Sequence, residues 1–547
     1  MDNLKNELTK IVKGKVTDDV SILESYSRDA SIFKMTPKIV VFPEDVHDIE
    51  ELVKYVESKN KDGVDLSITV RSAGTDMGGG PLTESILIVM PEHFNKILGI
   101  DNHIATIQPG VYYRDFEKET LKRNMVFPSY PASKELCSLG GIISNNSGGE
   151  ESLSFGKTEN FVEELTMTLS DGNTYKFGNL TKEELKSKME LQNFEGDIYR
   201  KMYKLLSENC ELIKSKKPVV SKNSSGYTIW NLLKDDGSFD LSQIFIGAQG
   251  TLGITSEIKL RLVDTKKYNG MLLLFLKDFN NIPEIVNTVL KYKPTSFESF
   301  DNYTFKLALK FFFAFSKILG SNIVKLSCSF LPEFLLVLRK GMPKLILLVE
   351  FQSDDMEEIK NNIAKLNKEV SLYNNLFTKV SGSNEETKKY WAIRRESFNL
   401  LRQRIKNLKA APFIDDIIVR PETLEEFLPQ LYKILDDSKL LYTVAGHIGD
   451  GNFHILPLMN LQDEKERAKI YPIADQVYNL VLKYNGSITA EHNDGLIRSP
   501  YIEEEFGNKI YGIFQEIKNI FDPHHIFNPH KKTDVTIKFA SEFIARN

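Results

Sequence analysis

Three glycine-rich segments, each next to a short apolar run, constrain this chain more than any other feature. The first, ITVRSAGTDMGGGPL (68–82), passes from a strand-like Ile68-Thr69-Val70 into a loop with glycines at 74, 78, 79 and 80. The others are LGGIISNNSGG (139–149) and GAQGTLGITSEIKLRL (247–262). Loops of this kind let main-chain N–H groups approach a ligand, and consecutive free N–H groups form a nest for an anion. Arg71 adds a fixed positive charge suited to a diphosphate. One such segment alone reads equally well as a surface turn. Three of them point to one large ligand held at several places.

Two familiar phosphate motifs are absent. No G-x-G-x-x-G occurs, so the chain lacks the dinucleotide fingerprint. Gly156-Lys157-Thr158 resembles the end of a P-loop, but Glu151 stands where its first glycine belongs.

With 547 residues the chain has room for two to four domains with proper cores. A hydrophobic share of 41%, a charged share of 27% and a net charge of −5 fit a soluble globular protein and argue against nucleic-acid binding. Cys137, Cys210 and Cys328 form no C-x-x-C pair, which excludes a cysteine-held cluster or zinc knuckle and suits a reducing, cytoplasmic setting. MDNLKNELTKIVKGK mixes charges with apolar residues, unlike a secretory leader, and no apolar run reaches about 18 residues.

Residues 1–35 read as an amphipathic helix and a turn. Residues 37–58 read as a strand, IVVF, followed by a helix that starts at Pro43-Glu44-Asp45. Strands are expected at 85–90 and 103–111, a helix at 113–124, and a hairpin over 159–177 turning at Asp171-Gly172. Residues 180–235 read as helical. Beyond Leu262 the pattern is strand–helix at 270–294 and again at 344–370, the two halves of a ferredoxin-like domain.

The motifs V-R-S-A-G-T, Q-P-G-V, F-P-S-Y-P-A-S, L-G-G-I-I-S-N-N-S-G-G, F-G-K-T and G-A-Q-G-T-L-G-I-T-S-E follow one another as in the p-cresol methylhydroxylase/vanillyl-alcohol oxidase flavoproteins. The chain resembles that superfamily from about residue 35 to its end. The resemblance implies an α+β fold with FAD between two subdomains at 1–265, a cap domain at 266–505, and a tail at 506–547 returning to the FAD domain. It implies FAD contacts at Arg71, Ser72, Ala73, Gly74, Thr75, Asp76, Gly78, Pro131, Ser133, Gly140, Gly141, Ser144, Asn145, Gly148, Gly250, Gly253, Ile254 and Asn528. Residues 71–82 contain no histidine, so the flavin is expected to be non-covalent.

A second cluster lies at AGHIGDGNFHILPL (445–458) and SITAEHNDGLIR (487–498). A His–turn–His of this length can bring the imidazoles of His447 and His454 together. With Glu491 they make a donor set suited to zinc or a similar divalent ion. Two strand-capping histidines and a helix-start glutamate are the competing reading. G-H-x-G-D-G-N-x-H followed by A-E-H resembles the D-2-hydroxyacid dehydrogenase branch. That resemblance implies His447, His454 and Glu491 as metal ligands and His492 as the base. YWAIRRE (390–396) resembles its W-x-x-R element and puts Arg394 forward as the carboxylate clamp, with Arg395 as the fallback.

The leading expectation is oxidation of D-lactate to pyruvate, with electrons passed to quinone or an electron-transfer protein. D-2-hydroxyglutarate or glycolate dehydrogenase, an alcohol or phenol oxidase, and a silent electron-transfer subunit are the alternatives. FKLALKFFFAFSKILG and FLPEFLLVLRKG, within 305–341, have two readings: a helical pair buried in the cap, or a peripheral membrane-docking surface on the cytoplasmic face.

Overall fold

The computed structural model describes residues 2–304, 306, 341–381, 386–395 and 408–546. The first sheet uses apolar runs that are continuous rather than alternating. It consists of β1 (Lys15–Thr17), β2 (Ile39–Phe42), β3 (Ile68–Arg71) and β4 (Ile86–Val89), in the order β1-β2-β4-β3. β2, β4 and β3 pair in parallel and are almost wholly buried, which is where uninterrupted Ile/Val runs are stable. The helix Val46–Lys61 starts at Asp45, whose carboxylate accepts the Asp48 N–H, and buries Ile49, Leu52, Val53 and Val56. Residues 1–35 contain more than the expected helix and turn, for β1 and a helix over Val20–Tyr26 follow the first helix. A three-residue strand is too short to show a period in sequence.

The second sheet is antiparallel. It contains β5 (Ile97–Asp101), β6 (Ile104–Ile107), β8 (Val162–Thr168), β9 (Thr174–Leu180), β10 (Phe239–Asp240) and β11 (Ile254–Arg261), in the order β10-β9-β8-β11-β6-β5. β8 and β9 form the expected hairpin, with Thr168 opposite Thr174. β7 (Met125–Val126) and β12 (Val263–Asp264) make a separate ribbon. The second glycine segment is a helix, Leu139–Asn145, ended by Asn146 in the left-handed region at φ 51°.

Among the described residues the third sheet has eight strands: β13 (Tyr268–Leu276), β14 (Ser296–Asp301), β15 (Leu345–Ser353), β16 (Leu376–Val380), β17 (Lys409–Ala410), β18 (Ile417–Ile418), β19 (Leu441–His447) and β20 (Asn452–Met459). The order β16-β13-β15-β14, with helices Ile282–Leu290 and Met356–Val370 between strands, is the ferredoxin-like arrangement. β19 and β20 extend it from the β14 edge. Near the chain's end, helix Asn508–Phe521 packs Ile510, Ile513, Phe514 and Ile517 into the core under the second sheet. Ile68 then pairs in parallel with Phe527. No helix among the described residues is long and apolar enough to cross a membrane. The stretch 305–341, read as either a buried helical pair or a membrane-docking surface, lies outside the described residues except for Lys306 and Gly341.

Candidate active site

A cavity of about 880 Å³ runs between the glycine segments and the third sheet. It is lined by Arg71, Ser72, Ala73, Gly74, Thr75, Asp76, Pro131, Ser133, Gly140, Gly141, Ser144, Asn145, Gly148, Gly250, Gly253 and Ile254, and at its other end by Arg394, Arg395, His447, His454, Glu491 and His492. Two expected FAD contacts are elsewhere. Gly78 backs onto the Asp494–Gly495 main chain, where an added Cβ would meet Asp494 O at 3.3 Å. Asn528 is buried behind the loop, donating to Gly80 O and Gln249 O and accepting from Thr69 Oγ1. Both hold the loop from outside the cavity. Asp76 lines the cavity, yet its Oδ2 accepts the N–H groups of Gly78 and Gly80, fixing the turn.

Strand register assembles the opposite end. β19 and β20 are antiparallel with Ala445 opposite His454, so His447 is two residues along and on the same face. Their rings are 5.2 Å apart, and the His492 ring stacks on His454 at 4.9 Å. Glu491 and His492 sit on a loop bound to a neighbouring carboxylate. Asp416 Oδ2 accepts the N–H groups of Glu491 and His492 and the Thr489 hydroxyl, all at 2.7 Å.

Four side chains, Asp416, His454, Glu491 and His492, can each point a ligand atom to within 4.8 Å of the others. This set differs from the expected His447, His454 and Glu491. Asp416 is already engaged by three donors on one oxygen and by Asn452 on the other, which suits a loop anchor better than a ligand. His447 remains adjacent, with Nε2 3.4 Å from Glu491 Oε1. His454 and Glu491 are common to both sets.

Buried charges surround these groups. Asp415 Oδ2 is 2.8 Å from His492 Nδ1, and its Oδ1 is 3.3 Å from His454 Nδ1. Asp415 thus faces the Nδ1 side of both rings. Burial disfavours the His492 imidazolium, but Asp416 and Asp415 outweigh it and raise the ring to about 9. A dication beside it would act in the opposite sense. Burial likewise disfavours ionised Glu491, but Lys222 and His447 hold it well below the usual carboxylate range. The Lys222 ammonium lies 2.5 Å from Glu491 Oε1 and 3.2 Å from Asp450. Lys157, also buried, donates to Asn223 O, Ser224 Oγ and Ala490 O, joining the FGKT segment to the loop carrying Glu491. Arg395, the fallback clamp, is paired through Nε and one terminal nitrogen with Glu150, as Arg394 is with Glu298. Sequence reading gave no role to Lys157, Lys222, Glu298, Asp415 or Asp416. The acidic pair inside the otherwise apolar PFIDDIIV (412–419) was the available signal for Asp415 and Asp416; the other three had none.

Two family models match the chain: "FAD binding domain" over residues 37–178 and "FAD linked oxidases, C-terminal domain" over 265–532. The chain belongs to the FAD-linked oxidases. Within that family it is 27% identical over 526 residues to a D-2-hydroxyglutarate dehydrogenase of Pseudomonas putida, covering 95% of this chain and 50% of the relative. It therefore spans about half the length of the first curated relatives it matches. It is 24% identical to a D-lactate dehydrogenase of Anaerostipes hadrus, covering 94% of each. The fold is that of p-cresol methylhydroxylase, with a TM-score of 0.68 at 13% identity over 98% of this chain and 97% of the other.

The cavity fits a flavin where its glycines face open space. A Cβ on Gly141 would meet only Ser138 Oγ at 3.9 Å, and one on Gly250 only Val70 Cβ at 4.0 Å. Both would project into the cavity. The Cys137 thiol also lines it, but burial pushes its pKa up to about 12, which makes it a poor nucleophile for a flavin tether. Gly141→Val is expected to bind FAD at least about fivefold more weakly, since overpacking costs about 1–3 kcal/mol. The fold should survive, because valine is a better helix residue than glycine. Fluorescence titration of the deflavinated protein measures this, and an unchanged affinity would move the flavin elsewhere.

Proposed function

We propose that this chain oxidises a D-2-hydroxy acid, with D-lactate as the first substrate to test and D-2-hydroxyglutarate and glycolate as the alternatives. One observation carries the reading: His454, Glu491 and His492 converge at the end of the same cavity that the three glycine segments line. The imidazole and carboxylate donors suit a divalent ion, zinc by ligand type. When bound, the ion acidifies the substrate hydroxyl and FAD accepts the hydride from C2.

The chain's residues do the rest. His492 accepts the hydroxyl proton at Nε2, the ring nitrogen away from Asp415. Arg394 has its Nε edge on Glu298, so its terminal edge is the one to grip the substrate carboxylate. That grip fixes which face of C2 meets the flavin. His454 and Glu491 are the ligands common to both candidate sets. His447 completes the triad that leaves His492 for the proton. Electrons leave to an external acceptor, a quinone or an electron-transfer protein.

A panel of D- and L-2-hydroxy acids with an artificial dye acceptor tests the reading. D-isomers are expected to reduce the dye, and chelator is expected to abolish turnover while the flavin spectrum persists. Activity on phenols alone, or on hydroxy acids after complete metal removal, would defeat it.

A further inference from the structure

We infer that Glu298 is a positioning residue that fixes the candidate carboxylate clamp and a candidate metal ligand at once, through its two oxygens. The inference deepens the proposed function and rests on its assignment of the metal centre. Glu298 lies on β14, where Ser299 pairs with Gly446, so the register puts Glu298 opposite His447. Its side chain is 1% exposed. Oε1 is 2.5 Å from His447 Nδ1. Oε2 takes Arg394 Nε and a terminal guanidinium nitrogen, each at 3.1 Å.

Both contacts set direction. A carboxylate on Nδ1 fixes the imidazole tautomer and turns Nε2 outward, here toward Glu491 Oε1 at 3.4 Å. A carboxylate on the Nε edge of a guanidinium locks a side chain that otherwise has several rotatable bonds. One rigid strand residue therefore sets the spacing between the group that takes the substrate carboxylate and a group beside the hydroxyl. That spacing is one carbon–carbon bond in any 2-hydroxy acid, whatever its side chain. An isolated buried glutamate would be costly here. With the imidazole and the guanidinium both engaged, each oxygen has a partner.

Glutamine at 298 has one accepting oxygen and an NH2 group. With that oxygen on His447 the NH2 meets the guanidinium's donors; with it on Arg394 the NH2 faces Nδ1 and forces the imidazole proton onto Nε2, the atom a metal would need. Glu298→Gln is therefore expected to lose on two fronts. Zinc affinity, measured by chelator competition, should fall about 10- to 100-fold. Affinity for pyruvate, a carboxylate with no hydroxyl to oxidise, should fall at least about tenfold when read from the flavin absorbance of metal-free protein. Flavin content and circular dichroism check that the variant is folded. If it is not, Arg394→Lys serves as the second arm. It keeps the charge but gives Glu298 a single-pronged anchor, and zinc affinity should fall several-fold although Arg394 is no ligand.

Loss of zinc affinity with pyruvate binding unchanged would leave Glu298 serving His447 alone and overturn the inference, as would the reverse. Unchanged zinc affinity in Arg394→Lys would do the same. Neither arm measures turnover, so failure of the chain to oxidise any 2-hydroxy acid is a separate result that bears on the proposed function.

Discussion

Replacing His454 with alanine is expected to remove the divalent ion and lower turnover of the 2-hydroxy acid at least about a thousandfold, with FAD still bound. A metal contributes several kcal/mol of transition-state stabilisation, and each 1.4 kcal/mol is about tenfold in rate. His454 is the side chain to remove because it belongs to either arrangement of ligands. The flavin should stay, since the glycine segments hold it through other parts of the chain. Metal analysis and dye-coupled turnover measure both quantities. Turnover within tenfold of the wild type in metal-free protein would sink the metal reading. His447→Ala and His492→Ala then separate the roles: the variant that keeps its metal but loses turnover identifies the base.

The second large effect is on stability. Lys532 and Asp494 are both fully buried, with Nζ 2.7 Å from Oδ2, and Lys532 also donates to Gly226 O at 2.6 Å. The pair joins the chain's final segment to the loop that follows Glu491 and to Gly226 in residues 222–230. Lys532→Ala leaves Asp494 charged and buried, with only the Gly226 N–H still donating to the paired oxygen. Breaking a buried pair from one side costs about 3–5 kcal/mol. Urea unfolding should show that loss. The double variant Lys532→Met with Asp494→Asn should recover part of it, because no unpaired charge remains. A single variant as stable as the wild type would show that water reaches Asp494.

The sequence by itself determined the elements and the segments of the site. Continuous Ile/Val runs specified the parallel strands, and Asp171-Gly172 placed the hairpin turn. The strand–helix units at 270–294 and 344–370 specified the ferredoxin-like order. All of these are local: each depends on side-chain period or on turn chemistry within a few residues. The spacing of His447 and His454 was legible for the same reason, since a hairpin places residues of one strand face side by side.

Tertiary structure decided which charges those groups meet. Glu298 reaches His447 only because β14 lies beside β19, and nothing near Glu298 in the chain announces that neighbour. Asp415 and Lys222 meet His492 and Glu491 through loops brought together from distant parts of the chain. Gly78 and Asn528 show the converse. Their motif is intact, but packing turned them to the outer side of the loop. Glycine makes a close backbone approach feasible at such positions. Only the folded neighbours determine whether the approaching group is a ligand or another stretch of the same chain.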